Sequence, residues 1–124
     1  MQKYQQLTTR VMSWKEIEEK YIDLIAYGWE LENMLGLVKS IQQEAFAERI
    51  YGFVSMMSYE TLIVSIYNPI DLHRETLHVS FDSKRKRWHF EYHPKHHVPI
   101  EMERYYGEEI GMLKFRQFID WLKW

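Results

Sequence analysis

All six histidines of this 124-residue chain fall between positions 73 and 97, as His73, His78, His89, His93, His96 and His97. Imidazole titrates near neutral pH and is the commonest nitrogen ligand of protein-bound metals, so this clustering points to acid–base or metal chemistry. Four residues converge once the segment is read as a hairpin. With Asp82 opposite Arg87 and Ser83 to Lys86 as the loop, His89, Glu91 and His93 occupy one face of a strand at i, i+2 and i+4. Same-face neighbours on a strand are about 7 Å apart, a gap that two imidazoles reaching for one ion can bridge. His78 then lies opposite Glu91 and diagonal to His89 and His93. Three histidines and a carboxylate make a sensible set for zinc or another transition metal, so His78, His89, Glu91 and His93 are the expected ligands if the chain carries one. The competing expectation is no cofactor, because histidine and glutamate are ordinary residents of a solvated sheet face. Glu91 with a neighbouring imidazole could also act as a base. No serine elbow, phosphate-cradling glycine loop, dinucleotide fingerprint or zincin helix accompanies these residues, so the sequence points away from an enzyme and names no catalytic residue.

The hairpin tip carries four consecutive cations, Lys84, Arg85, Lys86 and Arg87. Beside His89 and Trp88 they resemble a phosphate-contacting finger and are the candidate nucleic-acid contacts. In the same register Trp88 faces inward, which leaves the charges without a stacking platform, and no other segment supplies a basic surface. A charged turn that keeps the hairpin soluble is the better account. Charge is polarised along the chain. Positions 13–35 hold Glu16, Glu18, Glu19, Asp23, Glu30 and Glu32 against Lys15 and Lys20, whereas positions 72–97 hold six basic residues against three acidic ones. An acidic segment of this kind steers a basic partner, and Glu16, Glu18, Glu19 and Asp23 are the residues expected to do so. Its bland alternative is the wet face of an amphipathic helix.

The elements that must position these groups can be read from periodicity. Ser13-Trp14-Lys15-Glu16 forms a capping box, with Met12 and Ile17 at the positions of a hydrophobic staple. Trp14, Ile17, Tyr21, Leu24, Gly28, Leu31, Leu35 and Val38 then recur at steps of three and four, the spacing of one helix face. Gly36 is placed to end that helix in a left-handed cap, with Gly28 inside it at some cost, and a second short helix is expected from Leu37 to about Glu48. The stretches 50–56 and 62–67 are rich in β-branched and aromatic residues and fit strands with a turn over 58–61, although Phe46, Ile50, Phe53 and Met57 also share helical spacing. Asn68-Pro69 stops the second of them. In the hairpin over 76–93, Leu77, Val79 and Phe81 face Tyr92, Phe90 and Trp88 on the inner side. A slip of one residue would turn every apolar side chain outward. Pro94 and Pro99 bracket a loop, and Gly107, Glu108 and Glu109 open a last helix. On it Met112, Phe115, Phe118, Ile119 and Leu122 form a core face, while Ile110, Leu113, Trp121 and Trp124 fall on a second one. The expected fold is a single α+β domain over 1–124: an N-terminal helix or helical pair, a four-stranded antiparallel meander, and a C-terminal helix packed on the sheet.

Composition bounds the function further. A net charge of −2 and 46% hydrophobic residues place the chain among globular proteins and argue against a general nucleic-acid or membrane-surface role. The absence of cysteine excludes a disulfide scaffold and a thiolate metal site, and fits a reducing cytoplasm. No run of about 18 apolar residues predicts a membrane span, and the N-terminus lacks a secretory signal. Aromatics are in surplus, with 5 Trp, 9 Tyr and 6 Phe. Trp121 and Trp124 lie off the main stripe of their helix, so they are expected either to sit under the first helix or to form a contact surface, a homodimer included. On size and composition alone the chain resembles bacterial toxin-neutralising immunity proteins. That resemblance implies a non-enzymatic protein that binds another protein, a toxin it inhibits, by occlusion. A metal-binding or metal-dependent module on the hairpin face is the alternative. A small-ligand binder of cystatin-like cone architecture is the third.

Overall fold

The structure, a computed structural model, describes residues 8–55, 60–94 and 102–124. Helix α1 runs from Trp14 to Ala26. Its capping box forms in both directions: Glu16 N–H donates to Ser13 Oγ at 3.0 Å, and Ser13 N–H donates to Glu16 Oε1 at 3.2 Å. These bonds satisfy amides that the helix itself leaves unpaired. Ser13→Ala is therefore expected to cost about 1 kcal/mol in urea denaturation, whereas an unchanged midpoint would mean that the box contributes nothing.

The chain does not continue as one helix to Val38. α1 ends in a Schellman motif in which Gly28 N–H donates to Ile25 C=O at 2.9 Å and Trp29 N–H donates to Leu24 C=O at 3.1 Å. Gly28 takes φ +98°, which a glycine adopts without the clash a β-carbon would cause. Helix α2 then starts afresh over Glu32–Gln42, followed by one 3₁₀ turn at Ala45–Glu48. The two glycines thus exchange their expected roles: Gly28 ends a helix, and Gly36 lies within one on an exposed side. The second helix begins five residues before the expected Leu37 and stops at Gln42. The apolar spacing survives the break because Leu24 and Leu31 are both buried on either side of it.

Among the described residues seven strands pair in antiparallel fashion. β1 (Thr8–Thr9) pairs with β4 (Ile70–Asp71) in a small two-stranded sheet. The main sheet contains β2 (Tyr51–Val54), β3 (Thr61–Ser65), β5 (Thr76–Asp82), β6 (Arg87–His93) and β7 (Met102–Gly107), in that order. The expected hairpin is present with its register intact, from Thr76↔His93 through His78↔Glu91 to Asp82↔Arg87. Asp82 Oδ1 accepts the backbone N–H of Lys84 and of Arg85, at 3.0 and 3.1 Å, and so folds the tip. Within 45–55 the chain forms the 3₁₀ turn and β2, and the first two residues of the expected turn at 58–61 lie outside the described residues.

The sheet has five strands instead of four. β7 pairs with β6 from Arg87↔Gly107 to Tyr92↔Met102, ahead of a short 3₁₀ turn at Glu108–Ile110 and helix α3 at Gly111–Leu122. As an edge strand it is mostly exposed and lacks an apolar alternation that would have revealed it. One sheet face joins the helices in a common core of Ile17, Tyr21, Met34, Val38, Ile41, Leu77, Val79, Phe90 and Phe115, all fully buried, with Phe118 and Ile119 beside them. α+β is thus the architecture, with helices on the inner face. The other face is left to carry chemistry. Among the described residues no helix is long and apolar enough to cross a membrane.

Candidate functional site

The outer face of β5, β6 and β7 holds a continuous polar cluster. Because side chains alternate across a strand, His78, His89, Glu91 and His93 all fall on the face opposite the core, as do Glu103 and Tyr105 from β7. Glu91 and Glu103 are direct register partners on neighbouring strands, and His89 is paired with Tyr105. His89 Nε2 stands 2.8 Å from Glu103 Oε1 and 3.2 Å from Glu91 Oε1. His93 Nε2 is 3.0 Å from the other oxygen of Glu91. Tyr105 donates its hydroxyl to Glu103 Oε1 at 3.0 Å, and its ring stacks on the His89 imidazole at 4.6 Å and 5°. The hydrogen bonds from Tyr105 and His89 hold the Glu103 carboxyl below its ordinary value, while the Glu103 carboxylate raises the Tyr105 phenol.

His78 lies beside His93 and outside the close group of His89, Glu91 and Glu103. Its Nε2 is 3.0 Å from Thr76 Oγ1, and its ring lies against that of His93, centroid to centroid 4.1 Å. Burial first, and the neighbouring His93 second, lower its pKa from 6.5 to about 4, so the ring is neutral at physiological pH. Three ligand atoms within 4.8 Å of one another come from His89, Glu91 and Glu103. Of the four expected residues, His89 and Glu91 lie in this close group with Glu103, while His93 rests against Glu91 and His78 against His93. His73 lies in the turn after β4, where its N–H donates to Asp71 Oδ1, and His96 and His97 lie outside the described residues. Glu103 and Tyr105 could be found from sequence only by recognising β7.

A groove of about 700 Å³ borders this cluster, with Tyr27, Trp29, Glu30, Arg85, His89 and Tyr105 among its walls. Ser83 donates to Glu30 at 2.9 Å and ties the hairpin tip to the turn between α1 and α2. Lys84, Arg85 and Lys86 are exposed, whereas Arg87 lies over the Tyr105 ring, 4.1 Å from its centroid. Trp88 is 4% exposed and faces the core, as expected, so the basic tip offers no indole platform.

The acidic segment also separates into parts. Glu19 and Asp23 are exposed on α1, and Glu16 is held below the ordinary carboxylate range first by the Ser13 backbone N–H. Glu18 is only 13% exposed in its side chain, because Lys15 at 3.1 Å and Gln42 of α2 at 3.3 Å bind it. Ile22, Tyr27 and Trp29 accompany the exposed acids, at 45%, 86% and 42% exposure. The two C-terminal tryptophans part company: Trp121 is 54% exposed and Trp124 only 7%. Lys123 adopts φ 59° and closes a second Schellman motif, in which Trp124 N–H donates to Ile119 C=O at 3.1 Å. The chain thereby turns back, so Trp124 does not extend the helix's second face and is not available to a partner. Compared with protein-family models, curated protein sequences and solved structures, the chain matches none.

Proposed function

We propose that this chain is a non-enzymatic protein-binding module that engages a basic partner, a toxin it neutralises being the kind of partner its resemblance in size and composition implies. The observation that carries the proposal is the outer face of α1 with the turn after it. There Ile22, Tyr27 and Trp29 are exposed beside the exposed carboxylates of Glu19, Asp23, Glu30 and Glu32. Spacing of three and four places Glu19, Ile22, Asp23 and Ala26 along one side of α1, and Tyr27 and Trp29 continue past its end. Large rigid rings supply affinity because they bury much area at low entropic cost. The carboxylates supply rate, since a negative patch raises the encounter frequency with a positive one and loses that advantage in salt. Binding of this kind acts by covering the partner's own basic site.

The test compares four tagged forms of the full chain on a native lysate: wild type, Tyr27→Ala with Trp29→Ala, Glu19→Lys with Asp23→Lys, and His89→Ala. Glu16 and Glu18 are left unchanged because both are engaged within the fold, Glu16 in the capping box and Glu18 with Lys15 and Gln42. One basic polypeptide should be retained at equal stoichiometry by wild type and by His89→Ala. Loss of the two rings should weaken its retention about thirtyfold. Charge reversal should slow association and flatten its salt dependence. Equal retention by all four forms would overturn the proposal, and unchanged kinetics after charge reversal would remove its electrostatic part.

A further inference from the structure

The geometry points to a binding site for one divalent transition-metal ion, of the zinc class, formed by His89, Glu91 and Glu103 on the outer sheet face. It is independent of the partner surface on α1, since no residue is shared.

The first argument is a count of protons. Two carboxylate oxygens converge on one ring nitrogen, with Glu103 Oε1 at 2.8 Å and Glu91 Oε1 at 3.2 Å from His89 Nε2. A ring nitrogen carries at most one hydrogen, so it can satisfy one of these acceptors well and the other only by sharing. Glu91 and Glu103 are moreover register partners, and like charges directly opposite one another destabilise a sheet. A cation among the three atoms resolves both problems, for the imidazole lone pair and both carboxylates then point at the same centre. The second argument is size. Zinc binds nitrogen and oxygen at about 2.0–2.2 Å in a tetrahedral array, so neighbouring ligand atoms stand about 3.3–3.6 Å apart. The two carboxylate oxygens stand 2.8 and 3.2 Å from His89 Nε2, somewhat closer than that, and all three ligand atoms lie within 4.8 Å of one another, so the side chains need only spread slightly to admit an ion.

The third argument is the support behind each ligand. Tyr105 donates to Glu103 and stacks on the His89 ring, which fixes the position of both. His93 lies 3.0 Å from the second oxygen of Glu91 and donates to it in the tautomer with its proton on Nε2. Such outer partners set ligand orientation and are a regular part of metal sites. Imidazole among the ligands favours a transition metal over magnesium or calcium. Three protein ligands leave positions open, and His89 and Tyr105 line the 700 Å³ groove through which water or an anionic group could reach them.

The experiment is a zinc chloride titration by calorimetry on the chelator-stripped full chain, with His89→Ala, Glu103→Gln and His73→Ala measured alongside. The expected result is one site per chain, weakened at least about tenfold by His89→Ala and by Glu103→Gln and unchanged by His73→Ala. His89→Gln, which keeps the size and polarity of the side chain, replaces His89→Ala if the latter unfolds in chelator. No binding heat would overturn the inference and leave the cluster as an ordinary hydrogen-bonded network. Binding of undiminished strength in both ligand variants would overturn it too, by placing the ion on other histidines.

Discussion

Gly111→Ala is expected to destabilise the protein by about 2 kcal/mol, although alanine in a helix normally gains about 1 kcal/mol over glycine. Gly111 has an ordinary helical φ of −58°, so its backbone does not require glycine. Space does. A β-carbon there would overlap Cε2 and Nε1 of the Trp88 indole and lie 2.8 Å from its Cζ2. Trp88 cannot withdraw cheaply. It is 4% exposed, its Nε1–H donates to Glu108 C=O at 3.0 Å, and Phe81 packs edge-on against it at 4.9 Å. Overfilling a packed core costs about 1–3 kcal/mol or more, and losing the indole hydrogen bond adds about 1 kcal/mol, which together exceed the propensity gain. Urea denaturation measures the result. Trp88→Phe in the Gly111→Ala background should recover part of the loss, because the smaller ring leaves room for the methyl group. A Gly111→Ala protein as stable as wild type would mean that α3 does not approach β6 this closely.

Trp88 also shows what was legible in the sequence. The β5–β6 register follows from alternation alone, since every apolar residue between Leu77 and Tyr92 faces the helices and a slip would expose them all. The same rule places His89 and Glu91 together on the outer face. It does not reach their neighbour Glu103. Glu103 sits on an edge strand that is exposed along most of its length, so no hydrophobic period marks it. Recognising it requires the non-local pairing Glu91↔Glu103. The helix break at Gly28 was hidden for the opposite reason: the apolar spacing runs on through a turn that keeps Leu24 and Leu31 in phase. Helical spacing continued two residues beyond Leu122 places Trp124 on an outer face, whereas a left-handed Lys123 folds it inward. Helical spacing likewise groups Glu18 with the solvated acids, because its partner Gln42 belongs to another helix. Local patterns thus reveal the β5–β6 hairpin and the N-terminal capping box, and the gaps occur at helix ends set by a left-handed residue and where contacts join segments far apart in the chain.

That division separates two surfaces with different chemistry. The α1 face was legible as acidic from its sequence, and folding adds the exposed rings of Tyr27 and Trp29 that a helix break makes available. The outer sheet face was legible as histidine-rich, and folding narrows it to a tight group of one imidazole and two carboxylates. Both surfaces meet at the groove, where Glu30 of the first reaches Ser83 of the hairpin tip. An ion at the second surface would therefore sit near, but not on, residues proposed to bind a partner.

Acidification should expose the cost of burying His78. Its folded pKa of about 4 lies below its ordinary value of 6.5, chiefly because burial penalises the charged ring and secondarily because the neighbouring His93 imidazole repels that charge. Thr76 holds its Nε2, and its register partners on either side are Ile63 and Glu91, so one carboxylate faces it without reversing the shift. The sign follows from proton counting. Between 6.5 and about 4 the unfolded chain binds a proton that the folded chain refuses. The stability contributed by this group is therefore complete above 6.5, declines as the pH falls, and is fully lost once the folded pKa has been passed, with no further change below it. The difference between the two pKa values corresponds to about 3 kcal/mol, of which about 2 kcal/mol should be gone by roughly pH 5. Urea denaturation in chelator at about pH 7.5 and about pH 5 measures this loss in wild type and in His78→Gln, whose side chain takes no proton in that range. Carboxylates titrating in the same window act on both proteins and cancel in the comparison. The variant should lose about 2 kcal/mol less than wild type over that interval. Equal losses would show that the His78 ring accepts its proton as readily in the fold as in the open chain, and that the outer sheet face around it is wetter than its contacts with Thr76 and His93 imply.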